Sequence, residues 1–350
     1  MARKNSSQKV FEGKRILITG GTGSLGQVLI RRLLGGEAGR PAKVVVFSRD
    51  EEKQHHLRLR YQDAKSRLGF WIGDVRDYGA VSAALRDIDM VFNAAALKQV
   101  PTCEYCPQEA IMTNLAEPQN IISAIRDLRL PVATVVGIST DKAVKPINVM
   151  GMTKALQERL FATASLQAPA TRYIVVRYGN VLVSRGSVIP HFNDQIRAGG
   201  PVTVTDPDMT RFMLDLDHAV DTIFDAVRGA RTAETYVPRI RSARVVDIAT
   251  ALIDGRPIKT KITGIRPGEK LHEVLVSEEE CRRTFTRGAY YVVSSILPEL
   301  RQAPGAKNTL DREFSSADHL MTPEQVHKMM ADADLIVPGR QDGRAGRASR

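Results

Sequence analysis

Cysteine is scarce in this chain, three among 350 residues, too few for a disulfide framework and in keeping with a reducing compartment. Cys103 and Cys106 form a C-x-x-C, but no second cysteine or histidine pair follows at metal-binding spacing, so they are expected to be packing residues and no metal site is expected. No run of 18 apolar residues occurs, and the polar opening from Met1 to Lys9 lacks the apolar core of a signal peptide. A cytoplasmic protein without membrane insertion is expected. With 43% hydrophobic and 25% charged residues, disorder as the main state is excluded, and the length suits one large domain or two unequal ones. No internal repeat is visible.

Charge of one sign is in excess, at +11, but its location matters. Residues 1–9 and 338–350 together carry +6 of that +11 in Gly/Ser/Arg-rich stretches. The ends read as a mobile basic N-terminus (1–10) and a disordered basic tail (337–350), not as a binding face on the folded body. No nucleic-acid partner is expected.

Between the ends, short β-branched apolar runs alternate with longer amphipathic stretches, the pattern of a parallel sheet covered by helices. The runs are Arg15 to Thr19, Lys43 to Phe47, Leu68 to Ile72, Met90 to Asn93, Ala133 to Ile138 and Tyr173 to Val176. Six strands predict an α/β fold with a Rossmann-type doubly wound parallel sheet over 11–184. Beyond Ser184 the periodicity is irregular and Gly, Pro and Arg increase. Residues 185–336 are therefore expected to form mainly a smaller mixed substrate-binding lobe, with segments returning to the sheet. Thr322, with Pro323 at the first helical position, predicts a short helix near the end.

The first strand runs directly into Gly20 to Gly26 (GGTGSLG), and the following stretch from Gln27 to Leu34 reads as helix. A turn of this kind lets a pyrophosphate lie against backbone amides at a helix start. The strand before and the helix after give the motif its meaning, so Gly20, Thr22, Gly23, Ser24, Leu25 and Gly26 are candidate cofactor ligands. The second strand ends in Ser48, Arg49 and Asp50, with Lys53 one turn on. A carboxylate there accepts from a ribose hydroxyl and suits NAD, whereas an arginine can hold a 2′-phosphate by a charge-assisted fork. Arg49 with Lys53 favours NADP, and Asp50 leaves NAD as the alternative. Asp74 and Val75 follow the third strand, where a carboxylate can reach an adenine amino group. Ala94, Ala95 and Ala96 follow the fourth and permit close approach to the cofactor's middle.

The segments Ser139 to Ala143 (STDKA) and Met150 to Lys154 (MGMTK) resemble the active-site region of the extended short-chain dehydrogenase/reductases. More closely, the chain resembles the UDP-N-acetylglucosamine 4,6-dehydratases that invert carbon 5. Further matches are Phe47 to Glu51 (FSRDE), Gly73 to Asp77 (GDVRD), Ala94 to Pro101 (AAALKQVP), Arg177 to Asn180 (RYGN), Ser184 to Pro190 (SRGSVIP), Asp208 to Phe212 (DMTRF) and Gly264 to Glu273 (GIRPGEKLHE). The likeness covers roughly residues 10–330. It mixes two branches. Met150 is shared with capsule-type enzymes, while Ile265 to Lys270 and Phe314 to Ser316 are shared with flagellin-glycan-type enzymes.

The resemblance implies hydride removal from carbon 4 of a UDP-linked hexose, loss of water across carbons 5 and 6, and hydride return to carbon 6. By this likeness Lys142 takes the carbon 5 proton and Asp141 assists departure of the carbon 6 hydroxyl. Lys142 must then be transiently neutral, which a partly dry site beside another cation can promote. Lys154 binds the nicotinamide ribose. Most of the superfamily carries a tyrosine where Met150 stands; since Met150 cannot ionise, carbon 4 deprotonation passes through Thr140, Asp141 or a water held by Lys154.

For a UDP-sugar the likeness assigns Asn180 and Arg266 to the diphosphate and Glu269 to the uridine ribose. Lys98 faces the sugar or its phosphates and borders the cofactor as well. Arg185 and Ser187 stand at the mouth of the lobe, and Thr205, Met209 and Arg211 are expected at the uracil end. His191 and His272 read as structural. A homo-oligomer is implied by the resemblance alone. Two other functions compete: a UDP-hexose or UDP-N-acetylhexosamine 4-epimerase, which shares the first hydride step, and an inactive NADP-binding regulator.

Overall fold

The computed structural model describes residues 8–182, 187–301 and 309–337. Six strands lie within two residues of the predicted runs: β1 (Arg15–Thr19), β2 (Lys43–Ser48), β3 (Leu68–Ile72), β4 (Met90–Asn93), β5 (Thr134–Thr140) and β6 (Arg172–Tyr178). All are parallel, in the order β3-β2-β1-β4-β5-β6. The chain reverses direction across the sheet between β1 and β4, and ligands of such sheets bind in the crevice this switch opens at the strand carboxyl ends.

The sheet is wider than six strands. Thr235–Pro238 adds a seventh, parallel to β6, and the hairpin Thr284–Arg287 with Tyr290–Val293 completes nine. The six-strand expectation is corrected here. Tyr290–Val293 is a β-branched and aromatic run of strand character, but only its pairing with the distant Thr235–Pro238 joins the hairpin to the sheet, which local periodicity cannot reveal.

Helices cover both faces. On one, α1 (Ser24–Gly35) turns Leu29, Ile30 and Leu33 inward. Helix α2 (Glu51–Arg60) adds Leu57 to that same face at the sheet margin, while on the other lie α3 (Tyr78–Ala84), α4 (Val100–Tyr105), α5 (Pro107–Asn114), α6 (Ala116–Asp127) and α7 (Val149–Gln167), with Val81, Ile121, Ile125 and Phe161 in the second core. Helix α1 begins at Ser24, three residues earlier than predicted, so Ser24, Leu25 and Gly26 of the glycine motif are already helical.

After β6 the chain forms a lobe with its own core. Helices α8 (Val188–Arg197) and α10 (Val245–Ile253) and the final helix Pro323–Asp332 bring together Phe192, Ile196, Ile248, Leu252, Val326 and Met330. Between α8 and α10, α9 (Leu216–Gly229) returns to pack beside α1 on the sheet. The final helix starts as predicted: the Thr322 hydroxyl and the Gln325 side chain cap one another's backbone amides, with Pro323 in the first turn. Among the described residues no helix is long and apolar enough to cross a membrane. The basic ends, 1–7 and 338–350, lie outside the described residues.

Candidate active site

A cleft of about 650 Å³ opens along the carboxyl ends of β1 to β6. At one end, the chain leaving β1 turns through Gly20 and enters α1 at Gly23. This packing requires glycine at Gly26, because a Cβ there would lie 2.5 Å from the Gly21 Cα. Gly23 caps α1 without any side-chain hydrogen bond, and the first turn holds no acidic residue. The positive end of α1 therefore faces the cleft uncompensated by side chains, the chemistry a pyrophosphate fits. Every residue expected at the cofactor borders this cleft, from the glycine turn through Ser48, Arg49, Asp50, Lys53, Asp74, Val75, Ala94, Ala95 and Ala96 to Lys98 and Lys154.

The end of β2 is laced with ion pairs. Asp50 caps α2 by accepting from the Lys53 amide at 2.9 Å, and its other oxygen holds the Lys53 ammonium. Arg49 reaches Asp74 at 3.4 Å with its side chain 59% exposed, so it is held loosely enough to swing to a ligand. Asp74 is chiefly occupied by Arg76, whose fork holds its carboxyl below the usual range.

At the other end, β5 finishes in Thr140 and the chain tightens into a single 3-10 turn, Asp141–Ala143, capped by the Thr140 hydroxyl. The turn is held from behind by α7. Asn148 caps that helix through the Gly151 amide at 2.7 Å. Only glycine fits at position 151, since a Cβ there would stand 2.2 Å from the Lys142 carbonyl oxygen. Met150, buried against Cys103 and Ala110, and Lys154 face the cleft from the same helix.

Asp141 is fully buried. Its Oδ1 accepts from the Thr140 hydroxyl at 2.8 Å and from Lys142 Nζ at 3.1 Å. Lys142 Nζ also reaches Asn180 Oδ1 at 3.4 Å and Glu273 Oε1 at 3.2 Å. Burial pushes the Asp141 carboxyl up. Burial opposes charge on Lys142 too, but the Asp141 and Glu273 carboxylates outweigh it and hold the lysine above its ordinary value. This corrects the expectation of a lysine made neutral by a neighbouring cation. Arg211 is such a cation, but two nearer carboxylates dominate it.

Lys154 behaves differently. It is buried, its ammonium donates to Gln157, and Gln157 in turn donates to Asn93 at 3.0 Å. Burial lowers it to about 8, against the opposing pull of Glu117 and Glu158. Glu117 on α6 lies wholly inside the protein, close to Thr19, Asn93 and Lys154, and burial raises it to about 8. Tyr178 also borders the cleft, but burial pushes its phenol far above the ordinary range, so it is a poor substitute for the missing tyrosine.

Not every expected residue reaches the cleft. Asn180, Ser187 and Lys98 border it. Thr205 and Met209 face into the lobe, joined by a 3.1 Å contact, with Met209 in its core. Arg211 lies behind Glu273, donating to the Thr210 and Leu271 carbonyls. Arg266 and Glu269 close a turn on each other, the Arg266 amide meeting the Glu269 carboxylate at 3.3 Å, away from the cleft wall. Arg185 lies outside the described residues. His272 makes an internal contact with Thr210 at 2.8 Å. Sequence reasoning gave no role to Glu273 or Glu117. Glu273 closes a matching motif and could have been singled out there, while nothing local marks Glu117.

The segment from residue 16 to 295 matches a family described as polysaccharide biosynthesis protein. The chain belongs to that family. Among similar proteins, the UDP-glucose 4-epimerase of Rickettsia akari (strain Hartford) is 44% identical over 338 residues, covering 93% of this chain and 98% of that protein. Of solved structures, Pen from Bacillus thuringiensis superposes with a TM-score of 0.85 at 34% identity, covering 93% of this chain and 99% of Pen. DesIV, a dTDP-glucose 4,6-dehydratase from Streptomyces venezuelae with NAD and TYD bound, shares the fold at a TM-score of 0.66 and 23% identity, over 73% of this chain and 86% of its own. The chain thus has the Rossmann-type α/β fold that solved dehydratases and epimerases share.

Proposed function

We propose that the chain is a UDP-N-acetylglucosamine 4,6-dehydratase that inverts carbon 5, with NADP as cofactor. The observation that carries this reading is the Asp141–Lys142 pair, joined at 3.1 Å on the cleft wall. A proton passing from Lys142 to Asp141 along that contact converts an ion pair into an amine and a carboxylic acid. Those are the base and the acid that elimination requires. Lys142 then takes the carbon 5 proton, Asp141 gives its proton to the departing carbon 6 hydroxyl, water leaves, and the original ion pair is restored.

The chemistry a bound nicotinamide supplies is reversible hydride uptake, from carbon 4 and back to carbon 6. The amides at the start of α1 and the Lys154 side chain would hold it, and Arg49 would meet a 2′-phosphate. Met150 cannot accept the carbon 4 hydroxyl proton. Lys154, lowered to about 8 by burial, suits that task through a water. Asn180 and Lys98 offer polar contacts to a sugar diphosphate. A homo-oligomer is part of this reading, and sedimentation tests it.

A 4-epimerase is the second reading, favoured by the name of the Rickettsia relative at 44% identity. It returns the hydride to carbon 4 and needs an acid–base group for one hydroxyl only, so the second group of the Asp141–Lys142 pair would have no task. A proton NMR time course with UDP-N-acetylglucosamine separates the readings. A new methyl doublet with loss of the carbon 6 methylene is expected; a 4-epimer keeping the methylene would replace the proposal with an epimerase, and no turnover would favour a binding-only regulator.

A further inference from the structure

We propose that Glu273, delivered from the lobe, is a positioning residue whose permanent negative charge governs how the mobile proton is shared between Asp141 and Lys142. The inference rests on the reading that this pair performs the acid–base chemistry. It begins from the segment that carries Glu273, which is tied to the active-site turn at three points. Asn148 donates to the Gly268 carbonyl at 2.7 Å, Lys270 donates to the Val144 carbonyl at 2.6 Å, and Glu273 itself meets Lys142 at 3.2 Å. The Glu273 amide is fixed in turn by the Ser316 hydroxyl at 2.9 Å.

Glu273 is 2% exposed, in surroundings unlike those of Asp141. Three cations face it: Lys142, Lys270 at 3.8 Å and Arg211 at 4.0 Å. Among the described residues Asp141 touches one, Lys142, together with the neutral Thr140 hydroxyl. His272, next in sequence, is engaged with Thr210 and does not enter this cluster. Burial opposes ionisation of both carboxyls. At Glu273 the three cations overcome it and hold the group below its ordinary value, whereas Asp141 is held above, burial being reinforced by the charge of Glu273. Glu273 is thus the fixed anion and Asp141 the carboxylate that takes a proton.

The contacts of Lys142 complete the picture. Its three ammonium protons meet three acceptors, on Asp141, Glu273 and Asn180, so its lone pair becomes available only when a proton leaves. Because Glu273 remains charged, that proton goes to Asp141, where it serves as the acid for the leaving hydroxyl. The Glu273 charge raises the proton affinity of both partners together.

This gives a test with a sign. In Glu273→Gln an anion 3.2 Å from Lys142 is removed, so both limbs of the bell-shaped kcat profile should move to lower pH, by about one unit. Lys270→Met removes a cation from the same cluster and should move both limbs to higher pH, by less because Lys270 stands further off. Glu273→Asp keeps the charge and should leave the limbs near their wild-type positions whatever its rate. Turnover of UDP-N-acetylglucosamine followed by proton NMR measures all three. An unshifted profile in Glu273→Gln with a uniformly lower rate, or shifts of the same sign in Glu273→Gln and Lys270→Met, would overturn the proposal. If Glu273→Gln does not fold, the direction of the Lys270→Met shift decides. The same spectra distinguish a 6-methyl product from a 4-epimer, so a failure of the dehydratase reading appears in the wild-type product and a failure of this inference in the position of the limbs.

Discussion

At one end of the cleft the wall is mainly main chain, and at the other it is ionised side chain. The glycine end is assembled from the turn after β1, the start of α1 and the small residues after β4, and its working parts are amides aimed by tight packing. The charged end gathers Asp141 and Lys142 from the turn after β5 and Glu273 from the lobe, in direct contact and with both carboxylates buried. The first arrangement tolerates side-chain change wherever the backbone is kept. The second depends on each charge, since removing one member of a buried set leaves the others uncompensated.

The largest expected effect comes from cutting the charged end while sparing the glycine end. Lys142→Met should bind the dinucleotide normally and lose turnover by about a hundredfold to ten-thousandfold, the usual cost of losing a general base. In deuterated water the wild type should place deuterium at carbon 5 and the variant should not. Near-normal dehydration by the folded variant would break the comparison at its centre.

Next in size is a hidden exception at the glycine end. Glu117 is raised from its ordinary 4.5 to about 8, so the folded chain binds its proton more tightly than the unfolded chain. Its stabilising contribution is complete below pH about 4.5 and is lost as pH rises through about 8. Glu117→Gln lacks that loss, so its stability relative to wild type should rise between pH 5 and pH 8 by roughly 3 to 5 kcal/mol. Urea denaturation at the two pH values reads this directly. Parallel curves would mean that Glu117 is ionised in the folded protein.

Arg49→Ala sharpens the distinction on the cofactor side. One charge-assisted contact contributes roughly 1.5 to 3 kcal/mol, so NADP affinity should fall about ten- to a hundredfold while NAD affinity stays near wild type. Equal losses for both cofactors would remove the 2′-phosphate assignment. The smallest effect is expected at Met150. If Lys154 and a water handle the carbon 4 proton, Met150→Ala should retain turnover within about tenfold; a loss of a hundredfold or more, with cofactor binding intact, would equal a missing base and reassign that step.

The same contrast explains what could be read from the sequence. The glycine turn, Ser48 to Asp50, Asp74 and the alanines after β4 were legible because each is a short motif at a strand end, and backbone sites are encoded locally. Asp141, Lys142 and Lys154 were legible as part of a motif, but the charge state of Lys142 was not. It depends on Glu273, which reaches the turn only through the Gly268 and Lys270 contacts. Thr205 and Met209 were expected at a ligand and lie inside the lobe because the turn of a lone strand segment cannot be read without its partner. The last three strands of the sheet were not placed for a related reason, since the pairings that join them to it, of Thr235–Pro238 with β6 and with Tyr290–Val293, are long-range.

The contact between Gly151 and the Lys142 carbonyl has a consequence for divergence within such a scaffold. Helix α7 carries Met150 and Lys154, and its closest approach to the Asp141–Ala143 turn leaves no room for a single carbon atom. The two lysines are therefore mounted on one rigid block, with their separation set by main-chain geometry. The Glu273 segment joins that block through a few hydrogen bonds from side chains. New substrate preferences can arise by redrawing the lobe loop by loop, while the distance between Lys154 and Lys142 stays fixed by the main chain.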